Sequence, residues 1–528
     1  MADILQTSLF VRLLQKLYAL FCAVAEGSRF LRFFSCCWRS SRTRALISRC
    51  LGRKTGVLDH SGYTRFFSGV NSRLGQSARL RRWLDSSLLF RFGRAVLSCG
   101  KNSRILSGLF SEGMNSLLLA AAAFYVLIDY VLRDMLAIPL VSSLWDEALL
   151  LICLFWIVYQ RLDRSPCLSA RTNVLDLPVL FFITTALVLS VVVDPYPSIQ
   201  FSGLRATVQY MLWFFIITRM LRGQKDLMTL YLCFVALAFG IALHGIYQYI
   251  VGVEMPSNWV AQAETAVRTR VYSIFGSPNI MGDYMAMFVP MTAALAYYFR
   301  DIRLKAAAWI CAGVMCVACL FTMSRGAWAA IAVAIVLFIL LVDRRLIWPL
   351  LLGCVCLLFV PFVRTRIGFL FTDAFLEANT NGGRGGRKII ALDLLSRRDP
   401  LLGVGLGMFG GAVAMQNQVL DWQEYFYVDN YYLKILVEMG WTGLAAFVAA
   451  LLGWFTASCR ALARTFRAWK QKQDRAYPLI AGMFSGLCGV LVHCSAENIF
   501  EEPYMMVYFW TLAAMIVWLG FLRGQNSD

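Results

Sequence analysis

From residue 116 onward, long apolar runs alternate with short polar ones, and that alternation dominates the chain. The apolar runs are unbroken for roughly 17–25 residues, the length a helix needs to cross a hydrocarbon layer, and lack the strict period-two pattern of barrel strands. They predict an all-α, polytopic integral membrane helical bundle of about twelve transmembrane helices at ~20 residues each. The predicted spans are 116–133, 144–160, 174–193, 204–220, 228–251, 278–299, 305–322, 326–342, 346–363, 428–456, 477–496 and 504–522. A large polar loop, 364–427, precedes the tenth. The organisation expected is therefore a region 1–115, helices one to nine over 116–363, the loop, and helices ten to twelve over 428–528.

The connections orient this bundle. RLDRSPCLSAR, RMLRGQKD, RDIRLK, DRR and SCRALARTFRAWKQKQDRAY are basic, whereas DPYPSIQFSG, FTMSRG and ENIFEEP carry little Lys or Arg. Cationic connections stay in the cytoplasm, so both termini are expected there and the 364–427 loop on the outer face; long loops translocate largely regardless of their charge.

Composition agrees with a membrane protein: of 528 residues 59% are hydrophobic and only 15% charged, against about a quarter charged in soluble domains. The net charge of +19 lies mostly before residue 115, where Arg and Lys far outnumber Asp3, Glu26, Asp59, Asp85 and Glu112. Segments such as RLRRWLDSSLLFRFGRAVL mix Arg with Leu, Phe and Trp at helical spacing, the pattern of helices resting on an anionic membrane surface; a charged tail that only fixes topology is the plainer alternative. Membrane lipids are thus expected partners, and no nucleic acid is. The sixteen Cys are scattered, many in apolar runs (Cys311, Cys316, Cys319), and read as small buried hydrophobes. No metal or other cofactor is expected, and the N-terminus does not read as a signal peptide.

Chemistry is expected in the 381–440 stretch and the outer connections that face it, because irregular polar backbone cannot be left exposed to lipid. That face concentrates cations: Arg268 and Arg270 in VRTRVYSIFGSPN, Arg325 in TMSRGAW, Arg205 near the fourth span, and Arg384, Arg387, Lys388, Arg397 and Arg398 in the loop. Guanidinium forks bind phosphate oxygens bidentately, and a lipid-borne diphosphate would sit at this depth. Each Arg also has a plainer reading: Arg325 as a snorkelling turn residue, Arg397 and Arg398 as the wet side of an amphipathic helix. Acid–base candidates are few. His60 lies in the basic region; His244 and His493 lie inside spans, where a neighbour usually satisfies a lone imidazole. Glu497, Glu501 and Glu502 occupy the last outer turn, and Asp283 lies just inside the sixth span. Asp429, with Asn430 beside it, opens the tenth, either as a helix cap or as a base for an attacking hydroxyl. GVGLGMFGG looks like a phosphate-cradling glycine run but follows no strand.

RVYSIFGSPNIMGDYMAMFVPM, TMSRGAW, GGRGGRKIIALDLLSRRDPLLGVGLGMFGG and DNYYLKILVEMGWTGL, in that order, resemble the O-antigen ligase and polymerase family over about residues 174–520. The resemblance implies a metal-independent membrane glycosyltransferase of the bacterial cytoplasmic (inner) membrane, acting in cell-surface polysaccharide and lipopolysaccharide synthesis. Its donor would be an undecaprenyl-diphosphate-linked glycan; its acceptor a hydroxyl of a glycan, a lipid or a protein; its candidate partners other polysaccharide-assembly proteins. It implies that Arg270, Arg325 and Arg384 (or Arg387) hold the diphosphate. Where the family's ligases carry His-Asn, this chain has Asp429-Asn430, which leaves ligase, polymerase and related transferase open. The rival reading is a lipid-linked glycan flippase or polysaccharide exporter, against which stand spans nearly free of charge.

Overall fold

The structure is a computed structural model that describes residues 113–523 apart from 164–172, 194–195, 255–268, 373–383 and 420–426, with a few positions between 86 and 95. The chain divides into units of residues 1–61 and 62–528, and essentially everything described lies in the second. The basic region proposed over 1–115, His60 and Arg268 thus fall almost wholly outside the described residues.

Among the described residues every regular element is helical. In order they are α1 Met114–Ala123, α2 Tyr125–Tyr130, α3 Pro139–Asp163, α4 Asp176–Val192, α5 Pro197–Val208, α6 Leu212–Met220, α7 Gln224–Val251, α8 Pro278–Tyr298, α9 Ile302–Phe321 and α10 Arg325–Leu341. Then come α11 Ile347–Leu358, α12 Pro361–Gly368, α13 Arg384–Arg397, α14 Ala412–Asn417, α15 Tyr431–Lys470, α16 Ala476–His493 and α17 Pro503–Val517. Starts follow local chemistry. Pro opens α5, α8, α12 and α17, where its missing N–H costs nothing. Asp301, Ser324 and Asn430 cap α9, α10 and α15 by accepting from the N–H of Arg303, Ala327 and Leu433.

Helices occupy all the predicted runs, but six are individually long and apolar enough to cross a membrane, or eight if each of two sharply bent pairs is one span. The twelve-span expectation counts more than these lengths support, for identifiable reasons. The first run bends by 72° between α1 and α2. The ninth bends by 85° before α12, because Pro361 starts a new helix that carries Arg364 and Arg366. The third and eighth, α4 and α10, reach only 17 residues each, and the fourth is split between α5 and α6. The tenth, α15, is one of the six although Gly440 sits at φ 63°, ψ −170° inside it. α8, although 21 residues long, is not among the six; wrapped by α7, α9, α10 and α16, it has little need to be apolar all round.

The centre is α16 against α8 and α10. Gly482 and Gly486, one turn apart, bring α16 so near α8 that a Cβ there would lie 2.6 Å from the Pro290 carbonyl oxygen and 2.1 Å from that of Met287. Small residues at such spacing let helix backbones approach in lipid, where apolar burial alone does not drive association. These three helices consequently end together, with Asp283, Ser324–Gly326 and His493 in one layer.

The 364–427 stretch is no plain loop. α13 buries Ala391, Leu394 and Leu395 in a second apolar core with Val404, Met408, Phe409 and the first turns of α15. Its other side carries an exposed Asp393–Arg397 pair at 2.7 Å, the amphipathic arrangement expected. Residues 400–405 enter the break at Gly440. Val404 and Gly405 donate to the carbonyls of Val437 and Glu438 (both 2.9 Å), while Trp441 and Thr442 donate to those of Pro400 and Leu401 (2.9 and 3.2 Å). Backbone groups freed by the break are thereby satisfied within the protein, as the hydrocarbon region requires. Gly403 is needed there: its φ is +81°, and a Cβ would meet the Gly440 nitrogen at 2.5 Å.

Candidate active site

The turn between α9 and α10, Thr322–Ser324, gathers three arginines. Arg270, 7% exposed, donates from Nε to the Thr322 carbonyl at 3.0 Å. Arg366, 6% exposed, donates from Nε to the Met323 carbonyl at 3.0 Å. Arg325 follows the Ser324 cap, its guanidinium 5.4 Å from the Phe369 ring centre. Met323 itself lies at φ 55°, a conformation uncommon away from glycine. Packing like guanidinium charges around one turn is costly unless each has fixed acceptors, and bent carbonyls supply them to Arg270 and Arg366.

A second strand of contacts runs from this turn through the 493–501 segment. Arg270 Nη2 donates to Asn279 Oδ1 at 3.0 Å, and Asn279 Nδ2 donates to Glu497 Oε2 at 2.5 Å. His493 Nδ1 contacts both carboxylate oxygens of buried Asp283 at 2.7–2.8 Å. Its ring lies over Gly326, where a Cβ would be 1.8 Å from Nε2. The next residues anchor α15: Cys494 and Ser495 carbonyls accept from Tyr431 N–H and Asn430 Nδ2, both at 2.9 Å. Asn430 therefore caps its helix and ties it down at once. Beside it Asp429 pairs with Arg387 at 3.2 Å, and the same Arg387 Nη1 donates to the Tyr427 carbonyl at 3.3 Å.

Beneath this layer Lys434 is buried between Glu501 at 2.9 Å and Glu438 at 3.3 Å. Glu438 accepts from Phe409 N–H and Glu501 from Ala412 N–H, so the triad clamps the glycine run to α15 and to the last outer turn. Burial would raise the Glu501 carboxyl, but the Lys434 charge and its hydrogen bonds hold it below the ordinary range. Burial pushes neighbouring Glu502 up to about 7, against a hydrogen bond from Tyr504 that lowers it and with the Glu501 charge raising it.

Of the residues singled out from sequence, Arg270 and Arg325 come together, and Arg387, Asp429 and Asn430 come together. The 493–497 segment links the two groups. Arg384 opens α13 one turn before Arg387, and its side chain lies outside the described residues, as Arg268 does. Arg205 is placed elsewhere: it pairs with Glu147 and with Asp146 (3.6 Å) of α3 and donates to Gln209 at 3.1 Å. GVGLGMFGG is no open phosphate cradle, because the N–H groups of Gly403, Val404, Gly405, Leu406, Met408 and Phe409 all donate to protein acceptors. His493 is satisfied by a neighbour, as expected of an intramembrane imidazole; His244 likewise contacts Ser273 Oγ at 2.8 Å. Arg366 was missed because the apolar run before it read as an uninterrupted span; Pro361 was the available signal. Cys316 and Cys319 do stand at C-x-x-C spacing, but both are free thiols within apolar α9. Among the described residues no three His, Cys, Asp or Glu side chains converge as metal ligands would.

No curated protein matches the chain. Residues 310–448, from α9 through the arginine turn and the glycine run to the first turns of α15, match the family model described as O-antigen ligase. The match includes Arg325, Arg366, Arg387, Asp429 and Asn430 and bears out the family resemblance read from the sequence: this multi-pass membrane chain carries an O-antigen ligase domain, that of an enzyme family that transfers glycosyl groups in cell-surface polysaccharide synthesis.

Proposed function

We propose that the chain transfers a glycan from a polyprenyl diphosphate, of the undecaprenyl type, to an acceptor hydroxyl at the outer face of the bacterial inner membrane. The observation that supports this most is the layer in which Arg270, Arg325 and Arg366 ring the Thr322–Ser324 turn while Asn279 and Glu497 connect it to the Asp429–Asn430 helix start. In this reading Arg325 meets the diphosphate, with Arg270 and Arg366 supplying fixed positive charge behind it. Arg387, or Arg384 one turn before it on α13, is the further diphosphate ligand in this reading. The acceptor oxygen attacks the anomeric carbon, the bond from that carbon to the phosphate oxygen breaks, and polyprenyl diphosphate leaves with the electron pair. Negative charge grows on the leaving group, where pre-aimed guanidinium groups are worth most. The hydroxyl proton passes to Asp429, which Arg387 holds in place. The loop 364–427 covers the layer and keeps water from competing with the acceptor. Asp429 in the position of the His found in ligases suits a glycan hydroxyl as acceptor, hence polymerisation as readily as ligation.

The test is reconstitution of purified chain with lipid-diphosphate glycan and acceptor. Wild type should form a new glycosidic bond with no other protein present, and Arg325→Ala should lower the rate by roughly 10²–10³-fold with unchanged membrane insertion. Movement of glycan across the bilayer without bond formation would replace this reading with a flippase; full activity of Arg325→Ala would remove that arginine from the mechanism.

A further inference from the structure

At the end of the bundle away from the arginine turn, the ends of α8, α15 and α17 and the starts of α7, α9 and α16 surround a cavity of about 600 Å³. Arg300, Lys472, Arg475 and Arg523 line it with Asp474 as the one carboxylate, so the lining carries three positive charges in excess. Asp474 is already taken: both its oxygens are held by Arg523, at 3.0 and 2.6 Å. Arg475 is spent on the Tyr298 carbonyl at 2.7 Å. Arg300 and Lys472 are exposed, and among the described residues neither side chain has a hydrogen-bond or ion-pair partner.

The backbone presenting Lys472 adds a second observation. α15 ends in a Schellman turn: Gln473 N–H donates to the Ala468 carbonyl and Lys472 N–H to that of Trp469, both at 2.9 Å. The residue at this position takes the left-handed conformation, which glycine adopts without penalty, yet here it is Lys at φ 60°. The fold needs only a glycine; the charge is extra. Tyr298 and Phe299 line the cavity as well, and on the adjoining helix ends Trp469 stacks on Tyr477 at 4.7 Å with Lys470 4.8 Å from the Trp469 ring centre. Such an arrangement suits the depth where headgroup meets hydrocarbon.

We infer that this cavity is a binding site for a phosphate ester, supplied by the headgroup of an anionic phospholipid. The excess charge, two uncommitted cations, neutral donors from Gln473 and a rim of aromatics match a phosphodiester with its acyl chains running along the outside of the bundle. Basic pockets between helix ends hold such headgroups by charge-assisted hydrogen bonds from side chains of this kind. The site is separate from the transfer chemistry, and it stands whether or not the reading above does.

The experiment uses the full chain purified in neutral detergent, with binding read by native mass spectrometry and thermal melting. The probes are a short-chain phosphatidylglycerol, the matching phosphatidylcholine, and glycerol 3-phosphate. Phosphatidylglycerol should bind at least tenfold more tightly than phosphatidylcholine. The double variant Arg300→Gln, Lys472→Gly should lose that tenfold preference. Lys472→Gly alone should melt no lower than wild type without lipid, since it relieves the left-handed residue, and should still weaken phosphatidylglycerol binding several-fold. Competition by glycerol 3-phosphate at comparable affinity would keep the phosphate site and assign it to a soluble ester. Equal binding of both lipids, or wild-type preference in the double variant, would overturn the inference.

Discussion

The two ends of the bundle are both rich in arginine, and they use it in opposite ways. At the Thr322–Ser324 end, Arg270 and Arg366 are buried and bound to backbone carbonyls, and Asp429 and Asn430 are held by side-chain and backbone partners. At the Arg523 end, Arg300 and Lys472 are exposed and uncommitted. Fixed guanidinium groups keep their aim while charge develops, which is what a reaction needs. Free ones adapt to whatever anion arrives, which is enough for attraction. A count of charges cannot tell these situations apart; the partners of each charge can.

That contrast can be broken or sharpened by substitution. The largest effect is expected for Asp429→Asn, which keeps the size and leaves Asn430 capping α15 but removes the base: steady-state transfer should drop by about 10²–10⁴-fold with little change in melting temperature, since the Arg387 pair is partly exposed. An active Asp429→Asn enzyme would reduce that residue to an ion-pair partner of Arg387. Next comes His493→Ala, which leaves the buried Asp283 carboxyl without its partner and opens space over Gly326; about 3–5 kcal/mol of stability should be lost, read as a lowered melting temperature in detergent. Asp283→Asn combined with His493→Gln should restore much of it, because a neutral hydrogen-bonded pair replaces the broken one.

The carboxylates of the two ends also respond oppositely to pH. Glu502, raised to about 7, keeps its proton in the folded state after the unfolded chain has lost it. Its contribution is therefore stability that falls as pH rises from about 4.3 to about 7, on the order of 2 kcal/mol. Glu502→Gln should flatten the pH dependence of melting in that window. At the opposite end burial would raise Asp474, but the two bonds from Arg523 outweigh it and hold the carboxyl below its usual range. Its contribution is present above the unfolded value near 3.9 and disappears as pH falls through the lower folded one. Because the pair is partly exposed, Asp474→Asn should cost only about 0.5–1 kcal/mol at neutral pH, and the difference from wild type should vanish in strong acid.

Much of this was legible in the chain itself, for local reasons. Short polar turns before new apolar runs put Arg325 and Asp429 at helix ends, where the structure has them, although the cap expected of Asp429 is made by its neighbour Asn430 and that of α10 by Ser324. The apolar runs placed the helices. What escaped depends on distant partners. Asp283 and His493 are 210 residues apart, and neither carries a mark that it needs the other. Gly440 lies inside an apolar run that reads straight through it, because the loop that compensates the break is remote in sequence. Arg205 looked like another cation on the outer face until its acidic neighbours on α3 were in view. Phosphate cradling by GVGLGMFGG was a fair reading of composition, but where those N–H groups point is a property of the tertiary fold.

The interruption at Gly440 has a further consequence for how the large loop moves. Residues 400–405 complete the hydrogen bonding of a helix, so lifting them would strip four backbone bonds at once from the N-terminal third of α15. That segment cannot swing like a door. It behaves as a fixed lintel, and an incoming carrier has to pass below or beside it through gaps between helices. Amides of Val404, Gly405, Trp441 and Thr442 should then exchange their hydrogens as slowly as a helix interior, and short peptide insertions between 399 and 411 should be the least tolerated in the outer half of the molecule.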